Sequence, residues 1–183
     1  MFRRPFRRLM RRPPMMSANP IVVQAVARAN QMLANGNYAD AAQIFARLAQ
    51  EAEKRGRPKY AANAHAQASL AYAQAREEAN ALAHARNALT WFMQLQMLPR
   101  ASNFYNAITQ TMNANGMKSA AAELQKGFGD RVSVAGAPSI ASRGKLPPKC
   151  PQCAAPVRSD EVEWIDNDSA ECNYCGSVIQ TEE

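Results

Sequence analysis

Across residues 20–128, alanine, glutamine, arginine and leucine dominate, and these are good helix formers. The pattern predicts helices over 20–34, 38–54, 58–75, 77–97, 99–114 and 117–127, taken as three pairs. Prolines 20, 58 and 99 mark helix starts, where a missing N–H costs nothing. Gly36 and Gly116 mark helix ends, where a left-handed residue closes the last turn. Over 129–148 the periodicity stops and small residues, glycine and proline take over, which predicts a flexible linker. Beyond it the apolar residues come in short groups. Val157, Val162, Trp164 and Ile165 are expected to supply strand and core contacts, Asp166-Asn167-Asp168 a turn, and Val178-Ile179 a last strand.

The helical stretch repeats itself. Ala34-Asn35-Gly36 recurs 80 residues on as Ala114-Asn115-Gly116, and Ala41, Ala81 and Ala121 share one phase at an offset of 40. A period of this size predicts a solenoid of stacked hairpins. Gly36-Asn37-Tyr38-Ala39-Asp40-Ala41-Ala42-Gln43-Ile44-Phe45 resembles the middle of a tetratricopeptide repeat. The second unit matches through Tyr72, Ala81, Ala85 and Ala88 but has Arg76 where glycine is expected. The third keeps Gly116 and Ala121 and has Gln125 in place of the aromatic. The period exceeds the usual 34 residues of that family, so a generic helical-hairpin array is the alternative.

The resemblance implies that extended peptides bind along the face built by the first helix of each pair. That face should present Asn30, Asn63, Gln67, Asn103, Asn106, Gln110 and Asn113. A carboxamide offers a donor and an acceptor to a peptide backbone without reading its side chains. No lysine or arginine falls on these positions, so no charged clamp for a terminal carboxylate is expected. The plain alternative is a solvated polar helix face. His65 and His84 lie amid alanines on different helices and read as surface or seam residues. Trp91, Phe92 and Met93 read as core or seam.

All four cysteines of the chain fall near its end, as Cys150-x2-Cys153 and Cys172-x2-Cys175 with eighteen residues between. Two such pairs form the two knuckles of a tetrahedral metal site. The segment resembles the zinc-ribbon family. Cys175-Gly176 suits a knuckle, since glycine tolerates the positive φ of the turn, while Ala154 at the equivalent place is a departure. Cysteine at all four positions implies one structural Zn2+ with no site left for water. Iron in a rubredoxin-like site and a pair of disulfides are the alternatives. So small a unit needs its metal to fold.

Charge divides the chain in three. Residues 1–12 hold six arginines and no acid, residues 13–148 hold 14 basic and 7 acidic residues, and residues 149–183 hold 2 basic and 8 acidic. The arm can form a basic amphipathic helix, with Phe2, Phe6, Leu9 and Met10 on one face and Arg3, Arg4, Arg7, Arg8, Arg11 and Arg12 around the rest. Its partner would be an anionic membrane surface, nucleic acid or an acidic protein; a solvated tail is the alternative. No apolar run approaches the ~20 residues that span a bilayer. Thiols at metal-ligand spacing favour a reducing compartment. The expected location is the cytoplasm, with the inner membrane face as an alternative.

The predicted architecture is mainly α: a helical-hairpin solenoid of about three tetratricopeptide-like hairpins plus a small β zinc-ribbon domain. Its parts are a basic arm (1–19), the helical repeat domain (20–128), a linker (129–148) and the zinc ribbon (149–183). No phosphate-binding glycine loop is present, and no histidine–carboxylate or cysteine–histidine pair can be placed in one site. The chain is therefore expected to be a non-enzymatic adaptor or scaffold for a protein partner, with no small-molecule substrate. A nucleic-acid- or ribosome-associated protein and a peripheral membrane adaptor are the alternatives.

Overall fold

A computed structural model describes residues 19–133, 144–165 and 168–182. The arginine arm, with Arg3 to Arg12, lies outside the described residues, as do Asp166 and Asn167 of the expected turn. Six helices run in sequence: α1 (Pro20–Ala34), α2 (Tyr38–Lys54), α3 (Pro58–Gln74), α4 (Glu78–Gln94), α5 (Leu98–Ala114) and α6 (Lys118–Ser133). A three-stranded antiparallel sheet follows, with β1 (Glu163–Trp164), β2 (Ser169–Glu171) and β3 (Val178–Gln180) in the order β1-β2-β3.

The six helices are joined by one turn used five times. Residues 36, 56, 76, 96 and 116 all have positive φ, between 57° and 83°. Each is followed by a residue whose N–H reaches five residues back, as in Asn37 to Met32, Arg57 to Ala52, Glu77 to Tyr72, Met97 to Phe92 and Met117 to Met112, at 2.8–2.9 Å. These bonds satisfy the end carbonyls of one helix while the chain reverses into the next. The connections thus repeat every 20 residues, half the period that the side chains display. Glycine fills three of the five positions, and Arg76 and Gln96 take φ of 61° and 57° in the other two. An L-residue held there carries a cost of about 1–2 kcal/mol. Without a glycine to mark it, the end of α4 falls at Gln94 rather than the expected 97.

Consecutive helices pack on each other, and α3 also touches α5 while α4 touches α6, so the hairpins stack into one array. Phe45, Leu89, Phe92, Ile108, Met112 and Leu124 are fully buried in it, and Phe92 meets Phe104 edge-on at 6.0 Å between ring centres. Trp91, beside Phe92, is half-buried at the seam and donates its ring N–H to Glu53. α3 is unusual in being buried almost all round. Ala61, Ala62, Asn63, Ala64, His65 and Ala66 are consecutive and all buried, because helices cover one side and the cysteine-bearing unit covers the other. Helix α6 continues past Gly127 and Gly129 to Ser133. Phe128 and Val132, four residues apart on one face, are half-buried and buried and anchor its last turn.

The sheet is minimal. Trp164 pairs with Ala170, and Ala170 with Ile179. Ala170 and Ile179 are fully buried, and Val157, Val162 and Trp164 pack against the core as expected. Ile165 does not: it is 57% exposed, because the strand alternation that buries Trp164's neighbours on one face turns the next side chain outward.

Candidate metal centre and the helical face that holds it

The two cysteine pairs adopt the same backbone. The Ala154 N–H donates to the Cys150 carbonyl at 2.9 Å, and the Gly176 N–H donates to the Cys172 carbonyl at 2.9 Å. The Cys150 N–H donates to the Ala155 carbonyl and the Cys172 N–H to the Ser177 carbonyl, both at 2.8 Å. Both turns pass through positive φ, 57° at Ala154 and 77° at Gly176. Alanine therefore accepts the conformation in one knuckle that glycine provides in the other. Gly176 has a second reason to be glycine: a Cβ there would meet the Tyr60 hydroxyl at 2.8 Å.

The knuckles face each other and bring all four Sγ atoms within 4.8 Å of one another. Cys150 lies 3.9 Å from Cys175, and Cys153 lies 3.8 Å from Cys172. A disulfide needs about 2.05 Å, and all four cysteines are free. A tetrahedron of thiolates around a metal with bonds of about 2.3 Å has edges of about 3.8 Å. The sulfur positions fit that geometry. The thiols also shift one another's ionisation. Hydrogen bonds from Cys153, then from Cys172 and Cys175, make the Cys150 thiol ionise readily. The same contact with Cys150 pushes Cys153 and Cys172 up, so their protons stay. Against an opposing push from Cys150, Cys175 is lowered too, by Cys153 and Cys172, and thiolates gathered at this distance suit a cation. The Ser177 hydroxyl sits 3.3 Å from Cys150 Sγ and 3.0 Å from Cys175 Sγ, placed to donate its one hydrogen to either. All four cysteines are buried, so the donor set is closed.

This unit rests on α1, α3 and α5. The Asn30 amide donates to the carbonyl of Cys153 at 2.9 Å. The Asn63 amide donates to the carbonyl of Asn173 at 2.5 Å, and the Gln67 amide donates to the Tyr174 hydroxyl at 3.1 Å. The Asn103 amide is shared between Asp160 at 3.0 Å and Glu161 at 2.9 Å. Four of the seven carboxamides expected to grip a peptide thus grip the chain's own C-terminal unit, two of them through main-chain carbonyls. Asn106, Gln110 and Asn113 continue the α5 row and are exposed.

Charged groups complete the seam. Lys59 pairs with Glu163 at 2.5 Å and reaches Glu171 at 4.0 Å. The Tyr60 hydroxyl donates to Glu171, and its pKa is driven up by burial and then by that carboxylate. Arg100, nearly buried, lies between the rings of Phe92 and Tyr174 at 5.6 and 5.4 Å. It donates to the Glu161 carbonyl at 3.3 Å and lies 3.7 Å from that residue's carboxylate. Sequence reasoning missed Lys59, Tyr60 and Arg100, although helical spacing held the signal. Lys59 is one turn before Asn63, and Arg100 is three residues before Asn103 on the same face.

A second cluster lies away from the cysteines. His65 Nδ1 is 2.7 Å from His84 Nδ1, and His65 Nε2 is 3.1 Å from Glu53, which also accepts from the Trp91 ring N–H at 3.2 Å. His84 stacks on Tyr72. The expectation that no histidine–carboxylate pair shares a site is corrected here. Residues 53 and 65 lie on α2 and α3, and the alanine seam brings the helices close enough to join them. Burial, then the neighbouring His65, lowers the His84 pKa to about 4. Among the described residues, only the four cysteines gather three or more ligand atoms at metal-binding distance.

Among the described residues, no helix is long and apolar enough to cross a membrane. Comparison with family models, with curated proteins and with solved structures finds no match for this chain.

Proposed function

We propose that the protein is a non-enzymatic adaptor. In this reading a tetratricopeptide-like array and a zinc ribbon form one rigid surface for a protein partner. The observation that carries it is the α5 row: Asn103 lies in the seam with the ribbon, while Asn106, Gln110 and Asn113 run on from it into solvent. The side chains that hold an in-chain segment by its carbonyls and carboxylates therefore continue into an open stretch of the same chemistry. The closed, buried donor set supports zinc as a fold staple, since a catalytic zinc keeps an open position.

The test is a crosslinking pull-down at native expression with the zinc-loaded full chain. It is run beside the triple variant Asn106→Ala, Gln110→Ala and Asn113→Ala, and beside a chain lacking residues 1–16. The reading expects a specific protein partner that the triple variant loses and the shortened chain keeps. Recovery of no specific protein, or equal recovery by the triple variant, contradicts it.

A further inference from the structure

We propose that the C-terminal unit is a metal-gated occupant of the array's polar face. With metal bound it covers α1, α3 and α5; when the metal is stripped it lets go, and the face takes an extended acidic peptide in its place. The inference rests on the zinc reading above.

The gripped groups belong to the parts that the metal would hold. The Cys153 carbonyl is that of a ligand residue, and Asn173 and Tyr174 lie between the ligands Cys172 and Cys175. Loss of the metal frees both knuckles, and the contacts fail together. The unit has little else to keep it folded: its strands are two or three residues long and its buried apolar centre is Leu146, Ala155, Ala170 and Ile179, with Val157, Val162 and Trp164 half-buried against it.

The array differs in this respect. Its large buried side chains lie between its own helices, and the polar groups beneath the unit are Lys59, Tyr60, Asn63, Gln67, Arg100 and Asn103, set among small α3 alanines that belong to the apolar cluster the unit shares. Water can satisfy every one of these polar groups, and the apolar residues bared with them are small alanines. The covered state leaves two acceptors, Asn63 Oδ1 and Asn173 Oδ1, buried without a hydrogen-bond partner, and uncovering relieves both. The chemistry of a replacement follows from what the face now holds. Amides meet main-chain carbonyls, while Lys59, Tyr60, Arg100 and Asn103 meet carboxylates. An extended chain rich in aspartate and glutamate offers both.

The probe is a fluorescein-labelled peptide with the sequence of residues 158–171, which contains no cysteine, beside a copy with its acids changed to amides. Binding to the full chain is read by fluorescence anisotropy with metal loaded, after chelation and after zinc is restored. Helix content and mass are followed in the same samples. The expected result is binding at least tenfold tighter after chelation, reversed by zinc and lost with the amide peptide, with helix content kept. Equal binding in both states, or indifference to the acids, overturns the proposal. Collapse of helix content on chelation overturns it too, since the unit would then be part of the array's fold. A doubled mass on chelation would put a second copy on the face and also overturn it. Absence of metal from the loaded chain instead fails the zinc reading, and is seen before any peptide is added.

Discussion

The helical array and the cysteine-bearing unit are held together by different means. The array buries Phe45, Leu89, Phe92, Ile108, Met112 and Leu124 among six helices, each tied to the next by the same turn. Its order is spread over many apolar contacts. The C-terminal unit has three strands of two or three residues and a centre made largely of four thiols. Its order is concentrated at one point. The seam between them is of a third kind, in which amides, carbonyls and ion pairs accompany a continuous apolar contact. A region stabilised by dispersed burial degrades gradually under mutation, whereas one held by the proposed coordination would be either present or lost.

The largest expected effect comes from removing the proposed zinc. Chelation, or Cys172→Ser, should abolish protection of amides 149–182 from hydrogen exchange while α2 to α5 keep theirs, since metal binding in small sites is worth on the order of 10–16 kcal/mol. Equal protection in both forms would erase the contrast. Phe92→Ala probes the other side. It should lower array stability by about 3–5 kcal/mol in a denaturant melt, with the proposed zinc retained below the transition. Arg100→Met tests the seam. Glu161 would keep Asn103 and Arg158 but lose its buried cation, a loss of about 3 kcal/mol, read as faster exchange over 158–176 with the helices unchanged.

The smallest effect is a pH dependence confined to the array. An unfolded His84 takes up its proton near pH 6.5, whereas the folded one does so near 4, because burial and then His65 oppose the charge. Between those values the unfolded chain binds more protons, so stability falls as the pH is lowered through that window. Glu53, His65 and Tyr72 are the groups that face it. His84→Gln should flatten the profile by roughly 1–2 kcal/mol, allowing for solvent screening of a half-exposed ring. The thiols titrate in both proteins and cancel in the difference between them. An unchanged slope would place the pH sensitivity elsewhere.

Much of this was legible in the sequence, for reasons that differ by region. Helix starts at Pro20, Pro58 and Tyr38 fall where expected, because proline and glycine act through local backbone geometry alone. The ends at Gln94 and Ser133 were not legible. Gln96 takes a left-handed turn without glycine, and Phe128 with Val132 carries α6 through two glycines that read as linker. The cysteine cluster was legible because two local turns specify it. The carboxamide row was legible as a face, but its occupant was not. Asn63 and Asn173 are 110 residues apart, and no local pattern records such a pairing. His65 and Glu53 are only 12 residues apart but lie on consecutive helices, and the alanine seam sets the spacing that joins them.

The measurement that tests the central claim most directly is metal content with X-ray absorption on the full chain as purified. The account predicts one zinc per chain with four sulfur ligands at about 2.3 Å. Absence of metal, iron in its place, or a shell containing oxygen or nitrogen would contradict it.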